Sequence, residues 1–407
     1  MAKQPAPNSD LLPQGFLFSA VKAGIKASGK LDLAVAVAPA GANAAVMFTS
    51  NQVVAAPITV GRAHMLATSG RVRAVIVNAG NANCATGSNG IAACESSCTA
   101  AAAIFDCTVD EVFPSSTGII GVPLPVEKLV AALPAANAAL GATEEHAALF
   151  ARAIMTTDTR PKTAHASIEI NGKTVRLYGF AKGAGMIHPQ LVPPHATMLV
   201  YLFTDVGACA EELQAILETA VEPSFNSISI DGDTSTNDTV LLLSSGASGV
   251  TMPEVRAEFH AALGELCRSL AHQIVDDGEG VTHVVTLHIT GARNPTEAKM
   301  VAKAIAHSPL CKTAWSSGDP NWGRLLAATG YSGVRFDVDK VSISIGPHMV
   351  FERGTRAANF DEAATHATMM QREYTITIHL GQGNAECVFL TCDLTAEYVS
   401  INADYSS

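Results

Sequence analysis

One threonine in this chain invites a chemical reading. Thr197 lies in "GMIHPQLVPPHATMLVYLFTD", residues 185–205, between a proline-rich approach and an apolar run. A β-branched residue suits the start of a strand on packing grounds alone. The alternative is a nucleophile that has first to be uncovered. Other stretches carry polar groups that could serve it. "SSTGIIG" (115–121) is small, hydroxyl-bearing and glycine-rich, so its N–H groups can converge on an oxyanion, or it is simply a polar turn. "IMTTDTRPK" (154–162) offers Thr156 and Thr157 to a polar substrate, or forms a solvated loop after a helix. "GFAKGAGM" (179–186) flanks Lys182 with glycines, which let a carboxylate approach the backbone. Its spacing is not that of a phosphate-binding P-loop.

Three more stretches and the C-terminus complete the set. "SFNSISIDGDTSTNDT" (224–239) lacks the glycine and terminal glutamate of an EF-hand and reads as a dense hydrogen-bonded turn between strands. "DDGEGVTH" (276–283) sets Glu279 between glycines, where it can meet an ammonium or be a plain turn residue. "SGDPNWGR" (317–324) gathers Asp319, Asn321 and Arg324 about a tryptophan, as a rigid turn bracing a site or an interface. "EYVSINA" near the C-terminus reads as a strand running almost to the last residue.

The elements that must position these groups are α/β. "LDLAVAVAP", "AAVMFTS", "RVRAVIVNAG", "HASIEI", "TVRLYGFA", "ATMLVYLFTDV", "DTVLLLSSG", "HVVTLHITGA", "VSISIGPHMVF" and "EYTITIHLG" predict strands. Apolar residues at three- and four-residue spacing predict helices over 89–104, 126–140, 144–155, 208–219, 254–273, 295–306 and 361–370. Paired strands and blocks of helices imply a layered α/β sandwich of mixed or antiparallel sheets. With 407 residues, two domains or two intimately packed halves are expected. The loop 185–196 is the best boundary, because its prolines exclude helix and central strand.

Composition excludes several classes. A chain that is 48% hydrophobic and 15% charged is compact rather than disordered. A net charge of −11 argues against a nucleic-acid partner. No apolar run reaches the roughly 18 residues that span a bilayer, and the N-terminus has no signal core, so a cytoplasmic location is expected. Among nine cysteines, Cys94 and Cys98 share a helix face without the histidines or second pair of a zinc set, and read as core residues.

Taken together and in order, "NAGNANCATG", "SSTGIIG", "IMTTDTRPK", "KGAGMI", "ATML", "SFNSISIDGDTSTNDT", "DGEG", "DPNWGR" and "YVSINADYS" resemble the ornithine acetyltransferase family, glutamate N-acetyltransferases of arginine biosynthesis. The resemblance covers nearly the whole chain and implies an aminopeptidase/ornithine acetyltransferase-like N-terminal-nucleophile fold. It implies self-cleavage between Ala196 and Thr197, giving an alpha-chain half (1–196) and a beta-chain half (197–407). The Thr197 hydroxyl would attack the Ala196 carbonyl in an N-to-O acyl shift, and water would release the ester. The new α-amine, with an ordinary pKa of ~7.7–8.0, would then serve its own hydroxyl as base. Thr197 would carry acetyl from N-acetylornithine to glutamate by ping-pong kinetics, with Thr117 and Gly118 as the oxyanion hole. Thr156 or Thr157, Lys182, Glu279, Asn402 and Ser407 would contact substrate. The resemblance implies a cytoplasmic heterotetramer of two alpha and two beta chains. It calls for no metal or other cofactor, and leaves acetyl-CoA open as a donor for N-acetylglutamate synthesis. Within it, the 188–195 loop is longer than usual, and His283 stands where a lysine is common. Two alternatives remain: a self-processed amidase or aminopeptidase-type hydrolase, and an unprocessed, inactive homologue.

Overall fold

The computed structural model describes residues 10–190 and 198–404. Two sheets and the helices between and around them form the layers. The first sheet contains β1 (Leu17–Val21), β2 (Leu33–Phe48), β3 (Arg71–Asn81), β4 (Val112–Ile119), β5 (Lys162–Ile170), β6 (Lys173–Lys182), β7 (Leu199–Thr204) and β8 (Thr239–Ser244), in the order β4-β3-β2-β8-β7-β6-β5, with β1 on β2. The second contains β9 (Val284–Ala292), β10 (Ser342–Ile345), β11 (His348–Glu352), β12 (Thr355–Arg356), β13 (Glu373–His379) and β14 (Ala385–Cys392). Both sheets mix parallel and antiparallel pairs. This is the mixed layered α/β arrangement that the sequence predicts.

The strands β7 and β8 show why the first sheet is central. Both are buried along their whole length, and their side chains alternate between two cores. Val200, Leu202, Val240 and Leu242 face one core, while Leu199, Tyr201, Phe203, Leu241 and Leu243 face the other. A sheet covered on both faces needs continuous apolar strands rather than alternating ones. On the first face lie α5 (Ala210–Val221) and α6 (Met252–Asp276). On the other face and around its edges lie α1 (Ala56–Ala67), α2 (Gly87–Phe105), α3 (Val126–Ala138) and α4 (Glu144–Ala153). Cys94 and Cys98 are buried in the core beneath α2. On the second face, Phe18 meets Phe150, Phe180 and Phe203 at centroid separations of 5.8, 5.4 and 5.0 Å.

The second sheet packs one face against α7 (Pro295–Ala306), α8 (Pro309–Ser316) and α9 (Trp322–Gly330). Accordingly β13 alternates, with Tyr374, Ile376 and Ile378 buried and Glu373, Thr375 and His379 facing outward. The helices α10 (Glu362–Met369) and α11 (Ala396–Asp404) complete the chain. Among the described residues no helix is long and apolar enough to cross a membrane.

Several elements differ from expectation. "LDLAVAVAP" and "AAVMFTS" are one strand, β2, with a register shift between Val37 and Ala42 that absorbs the exposed Pro39 and Ala40. "EYVSINA" is helix α11, not strand. The Thr395 hydroxyl accepts from the Tyr398 N–H in N-cap fashion, and Tyr398 and Asn402, four residues apart, share one face. "SSTGI" is not a free turn but the end of β4, in parallel register with β3.

Phe18→Ala removes the hub of an aromatic cluster and is expected to cost ~3–5 kcal/mol in urea unfolding. The exposed Leu66→Ala should stay within about 0.5 kcal/mol of the parent.

Candidate active site

The C-terminal ends of β4 and β6 and the N-terminal ends of β7 and β8 converge, and a cavity of about 110 Å³ opens between them. Thr117, Gly118, Thr156, Thr157, Lys182, Glu279 and Asn402 all line it. Ala196, Thr197 and Ser407 lie outside the described residues. Met198 also lines the cavity, and its carbonyl accepts from the Thr239 N–H at 2.5 Å.

The β4 side is fixed by close backbone approach. Gly118 has φ +133°, and a Cβ there would lie 2.4 Å from the Gly80 carbonyl carbon, so only glycine fits. Asn237 pins this end by donating through Nδ2 to the carbonyls of Ala82 (2.6 Å) and Ser116 (2.9 Å). The 224–239 stretch is densely hydrogen-bonded, but it joins helix α5 to β8 rather than two strands, and it supplies Ser235, Thr236, Asn237 and Asp238 to the cavity wall.

Lys182 sits at the end of β6 and is buried. Its Nζ donates to Thr156 Oγ1 at 2.8 Å and to Thr117 Oγ1 at 3.1 Å. Burial lowers its pKa, with Asp158, Asp238 and Glu279 opposing that shift. The Asp158 carboxylate anchors both ends of this arrangement. It accepts from the Thr156 N–H (3.0 Å), the Gly183 N–H (2.7 Å) and Lys162 Nζ (2.6 Å). Lys162 also donates to Asp277 at 2.5 Å, and all three side chains are at most 3% exposed. Burial alone would raise the Asp158 carboxyl, but the Lys182 and Lys162 cations more than offset it and hold it at about 2.

Helix α6 ends at Asp276, so the next residues carry Asp277 to Lys162 and Glu279 to the cavity. Glu279 donates its N–H to the Ala184 carbonyl (2.9 Å), and its Oε2 accepts from Asn402 Nδ2 (2.8 Å). A Cβ on Gly185 would lie 2.5 Å from that oxygen, which explains a glycine there. Helix α11 therefore matters to the site, because it brings Asn402 onto Glu279.

The turn about Asp319, Asn321 and Arg324 does not line the cavity. Asn321 caps α9, and Arg324 donates to the Leu310 carbonyl of α8, so it braces two helices. His283 is buried, with Nδ1 3.2 Å from Asp393, away from the cavity. Sequence reasoning missed Asp158, Lys162, Asp277 and Asp238 as site-forming groups. The signal was present in part, since the first three lie within the two stretches that carry Thr156 and Glu279.

The ArgJ family model matches residues 17–407. The "Arginine biosynthesis bifunctional protein ArgJ" of Methylococcus capsulatus is 43% identical over 396 residues, covering 96% of this chain and 95% of that protein. The protein of the same name from Ruegeria pomeroyi is also 43% identical, covering 97% and 95%. A crystal structure of the ArgJ protein of Bacillus halodurans is 39% identical, covers 50% of this chain and 98% of that one, and superposes with a TM-score of 0.48.

Lys162→Met leaves Asp277 without its cation and is expected to cost ~3–5 kcal/mol at neutral pH. The pH dependence should weaken. In the parent, Asp158 has a depressed pKa, so its ~2 kcal/mol is present above about pH 4 and is lost as pH falls toward 2. In the variant, Asp158 loses one of the two cations that hold its carboxyl down, so less stability should be lost over the same acid range in denaturant melts.

Proposed function

We propose that this chain, which belongs to the ArgJ family, moves the acetyl group of N-acetylornithine to glutamate through an acetyl ester on Thr197, after cutting its own Ala196–Thr197 bond. The observation that carries this reading is the convergence of seven side chains and backbone groups, from distant parts of the chain, on one cavity that includes the neighbour of Thr197, Met198.

The chemistry follows from the groups available. Hydroxyl attack on an acetyl amide builds charge on the carbonyl oxygen, and the Thr117 hydroxyl and Gly118 N–H are the donors proposed to receive it. Both substrates carry an α-carboxylate. Lys182, buried and already held by two threonine hydroxyls, can pair with that carboxylate in either half-reaction. Thr156 and Thr157 border the same space. Glu279, oriented by Asn402, suits an amine, and Asn402 and Ser407 are proposed to contact substrate. Cleavage would yield chains 1–196 and 197–407, working as a heterotetramer of two of each. Acetyl-CoA is the other donor to be assayed in the first half-reaction.

Denaturing mass spectrometry of the purified protein is expected to give fragments of about 20 and 22 kDa, the 42.2 kDa chain divided at 196/197. Thr197→Ala should give only the 42.2 kDa species and no acetyl transfer. An intact parent chain would overturn the reading. Acetate release from N-acetylornithine that ignores glutamate would make the protein a hydrolase. Lys182→Met should lower kcat/KM for both substrates by ~30-fold or more, as loss of a buried charge partner does.

A further inference from the structure

Asp238 lines the same cavity from the residue before β8 and is 3% exposed. Its Oδ2 is shielded from solvent and has no hydrogen-bond partner among the described residues, while Ser235 hydrogen-bonds the carboxyl through its hydroxyl and its N–H. Strands β7 and β8 run parallel with Leu199 opposite Thr239, so Asp238 stands level with Met198, the residue bonded to Thr197. Buried polar atoms are nearly always paired, and a bare carboxylate oxygen in such a place is costly. The group therefore either carries a proton or meets a donor on the ligand. Burial pushes the carboxyl well above the usual carboxylate range, with Lys182 and Ser235 opposing. Among the described residues the other charged groups facing the cavity are Lys182 from β6 and Glu279 from the turn after α6, with Asp158 and Lys162 paired behind Lys182.

We propose that Asp238 is a catalytic proton-transfer group that protonates the amine leaving in the first half-reaction and deprotonates the ammonium entering in the second. This rests on the acetyl-transfer reading above. In the first half-reaction the threonine oxygen bonds to the acetyl carbon and the amide C–N bond breaks. The departing nitrogen takes the threonine hydroxyl proton and the Asp238 proton, and leaves as an ammonium. In the second, the incoming ammonium returns one proton to the Asp238 carboxylate. Its nitrogen then bonds to the acetyl carbon, the ester C–O bond breaks, and the threonine oxygen recovers the remaining proton. Atoms and charge balance over the cycle, and the carboxyl ends as it began. Transfer between two amines needs such a reservoir, whereas hydrolysis of the ester by water has no entering ammonium to deprotonate.

The test loads the threonine with p-nitrophenyl acetate, whose phenolate leaves without a proton, and then follows transfer to glutamate against pH. For Asp238→Asn, transfer at pH 7 is expected to fall ~100-fold. It should climb about tenfold per pH unit as free amine accumulates, where the parent levels off. Loading should suffer at least tenfold less than transfer. Ser235→Ala removes a donor that favours the charged carboxylate, so the acid limb of transfer should move to higher pH, and this variant carries the test if Asp238→Asn does not fold. Parent-like transfer and pH profile in Asp238→Asn, or an unmoved limb in Ser235→Ala, overturns the role of Asp238 alone. Failure of the parent itself to load or transfer would overturn the acetyl-transfer reading, and this role with it.

Discussion

The site depends on a single buried ammonium. Lys162 begins β5 and lies between Asp158, in the turn after α4, and Asp277, just beyond α6. Three ions removed from water are tolerable only if each is compensated and its hydrogen bonds are met. Here Asp158 takes two further N–H groups, and Asp277 takes Thr159. The result is directional. The same carboxylate that neutralises Lys162 holds the backbone at Thr156 and at Gly183, and so sets the distance between the Thr156 hydroxyl and the Lys182 ammonium. An ion triad that reads as stability is also what spaces the polar groups of the cavity.

The rest of the cavity is made by close approach rather than by charge. Gly118 lets β4 press against β3, and Gly185 lets the chain pass beneath the Glu279 carboxylate. Asn237 spans the gap between β8 and the end of β4. Each contact joins segments far apart in sequence, so the wall is rigid although much of it is formed by strand ends and turns. Substrate-sized freedom is confined to the centre, where Lys182, Glu279 and Asp238 are the charged groups among the described residues.

Much of this was legible beforehand, and the exceptions have physical causes. The helix 295–306 was read to the residue, because Pro295 at its first turn and the Asn294 cap mark its start. The mainly apolar, fully buried β7 was readable as a buried strand. Helix α11 was not, because it has no buried residue among those described and hence no apolar period to detect. The polar stretches that line the cavity could be quoted from sequence, but each alone was as consistent with a turn. What a single chain could not disclose was burial: Asp158, Asp238 and Lys162 look like surface charges until the fold removes them from water. The order of the motifs made the resemblance, while the electrostatics that hold them became visible only in three dimensions.

The interleaving of the first sheet bears on how the chain is made. Strands β7 and β8 are inserted between β6 and β2, so that Asn43 is paired with Ser244. Until the ribosome has released that far strand, the earlier portion holds two open edges, Asn43–Phe48 of β2 and Leu177–Lys182 of β6. Such edges are templates for mispairing. Pairing so remote in sequence is slow to close and leaves aggregation-prone surface in the meantime. Neither half contains the whole of the first sheet. Late strand insertion therefore competes with edge-to-edge association in the interval between synthesis of Lys182, which ends β6, and of Ser244, which ends β8.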